Sequence, residues 1–283
     1  MNGCVKSWML MEPLPLRHSI TEAQGAWETG MRPILVVGDD LRAYVAKHGG
    51  GHRVCSRLVN ELLAHHYARI WGLPVLEAAL MDVDPDHVGR FVAGDRQPGY
   101  FKTTCWATVF RRDSVELNRF LRTANAYERR HYANKEDLLR IALFDIWLAN
   151  EDRTQNNPNI LVTADPEGST FRVMDHEAIF GTNVLEKPLP LLTMEDSLLA
   201  HSVLPALLGA SFSRDGNLVA HAVQDAYLWM HNCEQRTDEV LSRLPADWGI
   251  DVANLRQRLQ DRLFDPQHFS AVLDHFHALL AQC

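Results

Sequence analysis

Asn150-Glu151-Asp152-Arg153-Thr154-Gln155-Asn156-Asn157-Pro158-Asn159-Ile160-Leu161-Val162 and, shortly after, Phe171-Arg172-Val173-Met174-Asp175-His176-Glu177 decide how this chain is read. The first run is polar and loop-forming as far as Pro158 and then turns apolar. Just before it, residues 137–148 (DLLRIALFDIWL) are apolar almost throughout, which predicts a buried helix ending near Asn150. After the loop, Ile160 to Thr163 and Phe171 to Met174 are short β-rich pieces joined by ADPEGS, which predicts a hairpin with Asp175 directly behind its second strand.

Upstream, Ile34 to Val37, the turn Gly38-Asp39-Asp40 and LRAYVAKH form a second hairpin pattern, with Lys47 at the end of its second strand. Gly49 to Gly51 then break the strand. Residues 56–71 place Leu58, Leu62, Leu63, Tyr67 and Ile70 at helical spacing. Gly72 caps that helix and Pro74 prevents its resumption. Further short strands are expected around Val75 to Val83, His87 to Val92 and Tyr100 to Trp106, whereas everything beyond Pro188 reads as helical. The expectation is an α+β chain, sheet-rich over 1–106 and helix-rich over 107–283, with a cleft at the junction.

The chain has 283 residues, 46% of them hydrophobic and 23% charged, enough to bury a sizeable core without staples. A net charge of −8 argues against a broad nucleic-acid-coating surface. Five scattered cysteines (Cys4, Cys55, Cys105, Cys233, Cys283) form no CxxC pair, so neither a disulfide framework nor a structural zinc is expected. No run of 18 apolar residues suggests a membrane span, and Glu12 and two prolines interrupt the apolar start. A cytoplasmic location is the expectation.

Asp and Asn after a helix are commonly capping and turn residues, so Asp152 and Asn157 mean little singly. Their conjunction with the apolar helix, the hairpin and Asp175 means more. Phosphoryl transfer from ATP needs one carboxylate to orient the attacking hydroxyl, and an amide oxygen plus a second carboxylate to hold Mg²⁺ on the phosphates. It also needs a strand lysine on the α/β-phosphates, steadied by a helix glutamate. Lys47 and Glu61, 14 residues apart on consecutive elements, stand where that template wants them. Alone, each would read as a surface residue.

The segments YVAKH, NELLAHHYARIWGLPV, NEDRTQNNPNILV and VMDHE resemble the HipA-like kinases, relatives of the protein-kinase and phosphoinositide-kinase folds. The resemblance covers roughly residues 30–180 and is specific over 150–177. It implies a bilobal protein-kinase-like fold with a small sheet-rich N-lobe and a helical C-lobe. By that resemblance Lys47 contacts the α/β-phosphates and Glu61 steadies it, Asp152 is the catalytic aspartate, and Asn157 and Asp175 bind the metal. Asn159 is a second amide candidate. No H-R-D and no G-x-G-x-x-G is present, so the phosphate cover is open among Gly25, Gly30 and Gly49 to Gly51. The chain is shorter than the family's toxins, and toxin behaviour is not carried over.

The expected activity is ATP- and Mg²⁺-dependent transfer to a Ser or Thr hydroxyl of a protein. The alternatives are a small-molecule or lipid-headgroup kinase and a catalytically silent binding module. Fourteen histidines, including His65-His66 and His275-Phe276-His277, lack metal-site spacing and read as scattered surface residues. The tryptophans with Tyr67, Tyr127 and Tyr227 read as core and lobe packing. Nothing in the motif names the acceptor.

Overall fold

The computed structural model describes residues 12–28, 30–94, 96–123, 135–166, 168–182 and 185–283. Tyr127 and Cys4 lie outside them. A six-stranded sheet is built from β1 (Leu16–His18), β2 (Gly25–Ala26), β3 (Ile34–Val37), β4 (Ala43–Lys47), β5 (Ala78–Asp82) and β6 (Cys105–Val109), in spatial order β1-β5-β6-β4-β3-β2. All neighbours are antiparallel except the β1–β5 edge pair. The β3–β4 hairpin forms as its turn predicts, with Ile34 opposite Ala46 and Val37 opposite Ala43. Burial alternates along β4: Tyr44 and Ala46 enter a small core with Ile34, Val36, Val88 and Phe101, so Lys47 points to the other face. That face meets α1 (Ser56–Ile70).

Two segments expected as strands are short 3₁₀ turns. Pro85–Phe91 starts where Asp84 accepts the Asp86 N–H at 2.9 Å and Pro85 supplies a first-turn residue needing no N–H, and Gly89 kinks it with φ 52°. Pro98–Lys102 likewise opens on a proline, and only Cys105 onward joins the sheet. Both segments were expected as strands, and the prolines that open them start helical turns instead.

The α1 helix ends as the Gly72 cap predicts. Gly72 (φ 70°) donates to Arg69 O at 3.0 Å and Leu73 to Ala68 O at 2.9 Å. Both of its faces are covered: His65 lies edge-on to Trp106 of the sheet, while Tyr67 and Trp71 pack on Trp147. Trp147 belongs to α3 (Asp137–Leu148), buried on every side from Leu138 onward except at Arg140. Preceding α3 are β7 (Val115–Glu116) and α2 (Leu117–Thr123). After it, β8 (Ile160–Asp165) and β9 (Gly168–Val173) complete a three-stranded sheet in the order β7-β8-β9.

The remainder is helical, as expected: α4 (Val203–Leu208), α5 (Gly216–Val223), α6 (Ala226–Leu241), α7 (Val252–Arg258) and α8 (Pro266–Leu280). Asp215, Asp251 and Asp265 cap α5, α7 and α8 with side-chain oxygens. The segment before α7 reaches back to the first sheet. Trp248 Nε1 donates to Thr104 O at 2.7 Å, and the Cys55 N–H donates to Trp248 O at 3.0 Å. No helix among the described residues is long and apolar enough to cross a membrane. Four tryptophans (Trp71, Trp106, Trp147, Trp248) are core, but Tyr227 is exposed rather than packed.

The histidines depart most from expectation. His48, His65, His66, His176 and His201 are buried rather than on the surface. Burial pushes the ring of His48 down to about 4 and that of His66 to about 3, with nearby arginines adding to both, and it drives His65 and His176 far down as well. In the unfolded chain these rings take up a proton near pH 6.5. As pH falls through that value the unfolded state binds protons that the folded state refuses, so stability declines, by at most about 1.4 kcal/mol per pH unit for each ring. Whatever the buried carboxyls add with opposite sign, the calorimetric Tm of His66→Leu should lose less than that of the wild type between about pH 7.5 and about pH 5. The same pH dependence in His66→Leu as in the wild type would contradict a neutral buried ring at that position.

Candidate active site

The polar loop begins where α3 stops. Ala149 takes the left-handed conformation (φ 50°), and the turn is held by Asn150, whose N–H reaches Asp145 O at 2.9 Å and whose Nδ2 reaches Asp145 Oδ1 at 2.8 Å. Arg153 then folds inward with no solvent exposure. Its Nε lies 2.6 Å from Asp145 Oδ2, its Nη1 donates to Pro158 O at 2.8 Å and Asn159 O at 2.5 Å, and its Nη2 meets His176 Nε2 at 2.9 Å. Burial pushes Asp145 up to about 6 against the pull of Arg153 and Asn150. One guanidinium thus fastens α3, the loop and the residues after β9 to one another.

Asp152, next to that anchor, turns outward and is partly exposed. Asn157 Nδ2 donates to its Oδ1 at 3.0 Å and Asn159 Nδ2 to its Oδ2 at 2.9 Å, so both amides aim the same carboxylate. The Met174 N–H donates to Asn159 O at 3.1 Å, which brings the end of β9 beside the loop. Asp175 follows with φ 58°, a left-handed turn that aspartate tolerates better than most residues. Its Oδ1 lies 2.6 Å from Lys47 Nζ, and the same ammonium is hydrogen-bonded to Glu61 Oε1.

These three charges come from β4, from α1 and, 128 residues beyond Lys47, from the turn after β9, and each shifts the others. Burial disfavours the Lys47 ammonium, but Asp175, Glu61 and Glu177 outweigh it and raise the lysine well above its ordinary value. Burial also pushes Asp175 up, yet Lys47, through charge and hydrogen bond, holds it below the usual carboxylate range. At Glu61 burial wins over Lys47, and the carboxyl stands above that range. Glu177, the last residue of the VMDHE segment, completes the group: burial pushes it up to about 7. Ligand oxygens of Glu61, Asp175 and Glu177 lie within 4.8 Å of one another. Asn60 Nδ2 ties α1 to this segment by donating to Glu177 O at 2.9 Å and Ile179 O at 3.0 Å.

Of the three glycine segments, the turn between β2 and β3 is the one that reaches the carboxylates. Gly30 has φ 53°, and a Cβ on it would lie 3.3 Å from Glu177 Oε1. Arg96, almost wholly buried, pins that turn: Nε donates to Arg32 O at 3.1 Å, and Nη2 donates to Trp27 O at 2.9 Å and Glu28 Oε1 at 2.7 Å. Gly25 lies within β2 opposite Leu35, and Gly49 to Gly51 turn the chain from β4 toward α1.

A strand lysine, a helix glutamate, an aspartate-bearing loop and an aspartate behind a hairpin, between a small sheet and a helical region, define a kinase fold. A family profile described as HipA-like kinase matches residues 20–189, and the chain belongs to that family. Among solved structures it is similar to the Helicobacter pylori proinflammatory kinase CtkA, with 13% identity, a TM-score of 0.53, and coverage of 95% of this chain and 99% of that one. The Golgi casein kinase aligns at 13% identity with a TM-score of 0.46, over 95% of this chain and 73% of its own. No curated protein matches the chain.

Arg153, Asp145, His176, Glu177 and Arg96 were given no role of their own from sequence. Arg153 carried a signal in its place inside the Asp-Arg-Thr run, and His176 and Glu177 in theirs inside VMDHE, whereas Asp145 and Arg96 carried none. Arg153→Met leaves the Asp145 carboxylate buried without its cation and should cost about 3–5 kcal/mol in chemical denaturation. The double variant Asp145→Leu/Arg153→Met should recover much of that loss, since an apolar pair removes the uncompensated charge. Equal stability of the wild type and Arg153→Met would show that the pair holds nothing together.

Proposed function

We propose that this protein is an ATP- and Mg²⁺-dependent kinase that phosphorylates a Ser or Thr hydroxyl of a protein substrate. The observation that carries the reading is Lys47 Nζ seated between Glu61 and Asp175, which joins the phosphate-binding strand, its steadying helix and the metal-binding turn. The residues present suit both ligands. The cradle beside Gly30, which a Cβ would crowd, suits close backbone approach to phosphate, and carboxylate and amide oxygens are the donors a hard divalent cation takes. When bound, the cation supplies positive charge that draws electrons from the transferring phosphoryl group.

In this reading Lys47 contacts the α/β-phosphates and Glu61 keeps its ammonium on the cleft side of β4. Asp175 is the anionic metal ligand. Asn157, whose amide nitrogen is taken by Asp152, offers its amide oxygen to the same metal. Asp152, aimed by Asn157 and Asn159, orients the acceptor hydroxyl and takes its proton. Residues 1–106 contribute Lys47 and Glu61, and residues 107–283 contribute Asp152, Asn157 and Asp175, so transfer requires the two parts together. A cytoplasmic protein acceptor belongs to the same proposal.

Asp152 acts mainly in the transition state, so Asp152→Asn should bind Mg·ATP normally in calorimetry and transfer nothing. Asp175→Asn should lose metal-dependent binding and turnover alike. Lys47→Ala should weaken nucleotide binding by about 1.5–3 kcal/mol, the worth of hydrogen bonds to charged groups. Metal-dependent binding lost in Asp152→Asn and kept in Asp175→Asn would reverse the two roles.

Gly30→Val combines a strained φ with a crowded contact to Glu177 and should raise the KM for ATP with a smaller effect on a fully saturated rate. An unchanged KM would detach this turn from the nucleotide. The acceptor is tested with γ-labelled ATP and cell extract, followed by phosphoamino-acid mapping. Phosphoserine or phosphothreonine is expected. Label confined to small molecules or lipid would overturn the protein-acceptor reading.

A further inference from the structure

A cavity of about 730 Å³ opens at the N-terminus of α1, bounded by the Gly30 turn on one side and the glycines after β4 on the other. In a protein of net charge −8 its lining contains Arg32, Arg53, Arg57, His48 and His52 and no acidic side chain. The helix end adds to this bias. The first turn of α1 carries no acid, Cys55 offers no side-chain cap, and the N–H groups of Ser56 and Arg57 have no acceptor among the described residues.

Two further observations point to an anion there. His48 Nδ1 accepts the Gly50 N–H at 2.9 Å, which puts the ring proton on Nε2, and that atom has no partner although the ring is only 4% exposed. Arg53 makes no ion pair among the described residues, and Arg57 reaches a carboxylate only at 3.6 Å, to Glu177. The wall is also preformed. Arg53 O is so close to Gly249 that a Cβ there would lie 2.1 Å away, and the Cys55 N–H is bonded to Trp248 O.

We propose that this cavity is a docking site for a phosphomonoester dianion borne by a phosphorylated Ser or Thr of a peptide, and that its occupancy sets the position of α1. Guanidinium groups, two open backbone N–H groups and a neutral imidazole donor match three phosphate oxygens better than a single carboxylate. The volume exceeds what a free ion fills and accommodates flanking peptide. A concave site on an acidic protein suits a peptide rather than an anionic membrane surface. The link to α1 rests on the kinase reading above: a ligand drawing Arg57 from Glu177 acts one helical turn from Glu61, the partner of Lys47.

The test measures fluorescence polarisation of the full chain with a labelled phosphoserine peptide pool, its unphosphorylated counterpart, inorganic phosphate, O-phosphoserine and phosphoinositide vesicles. The phosphoserine pool should bind, the unphosphorylated pool should not, and Arg53→Ala and Arg57→Ala should each weaken binding by about tenfold. Calorimetric Mg·ATP binding by Arg53→Ala should be unchanged, which shows the variant folded. Failure of the pool to bind, or binding by both variants as tight as by the wild type, would overturn the site. Inorganic phosphate or O-phosphoserine binding as tightly as the pool, or preferential vesicle binding, would overturn the peptide assignment. Phosphopeptide binding without any Mg·ATP binding would keep the site and remove the kinase reading instead.

Discussion

A guanidinium stripped of all its water sits where three parts of the chain meet, and the remaining geometry follows from how it is compensated. Moving such a charge out of water costs several kcal/mol, which is recovered only when geometry and hydrogen bonding are both good. Arg153 is compensated by the charge of the Asp145 carboxylate, in ion contact with its Nε, and by hydrogen bonds to the carbonyls of Pro158 and Asn159 and to the Nε2 of His176. Because those partners belong to α3, to the loop and to the segment after β9, none can shift without exposing an unpaired charge. Asp152 precedes the anchor in sequence and Asp175 precedes one of its partners. The directions of both aspartates are thereby set from inside the protein.

The backbone around this anchor is strained in the same places. Ala149, Asn159 and Asp175 all have positive φ. A left-handed residue of this kind costs on the order of 1 kcal/mol, somewhat less for Asn and Asp. Such conformations persist where surrounding contacts over-determine them, here Asn150 on Asp145, Met174 on Asn159, and Lys47 on Asp175.

The α1 helix explains how the sheet and the helical region act on one site. A helix covered on one face would move with one neighbour. This one packs on Trp106 from the sheet and on Trp147 from α3, and its Tyr67 hydroxyl bonds Thr237 of α6 at 3.0 Å. Glu61 is therefore positioned by the helical core, whereas Lys47 is positioned by the sheet, and their ion pair reports how the two parts sit. In a partly desolvated setting such a pair is much stronger than at a surface, so small displacements of α1 matter. The same helix presents its N-terminus to the basic cavity.

Local chemistry made much of this legible in sequence. The hairpin pattern put Lys47 at the end of β4, Gly72 and Pro74 ended α1, the apolar run set α3, and the Asp152–Asn157 spacing with Asp175 behind a hairpin marked the loop and the turn that follows it. These features depend on φ/ψ preference, period and spacing, which are written into consecutive residues. The misreadings at His87–Val92 and Tyr100 are also local, since prolines and an aspartate cap outweighed strand propensity. What only the tertiary structure decided was pairing across distance. Arg153 chooses Asp145 and His176, Arg96 pins the turn at Gly30, Glu177 joins Glu61 and Asp175, and the histidines go inside. A buried charge or ring is specified by whatever the fold brings against it, and the energy that fixes it lies in desolvation and in partners many residues away. The sequence by itself determined most of the elements and the residues of the candidate site, and the packing of those elements decided which charges face one another.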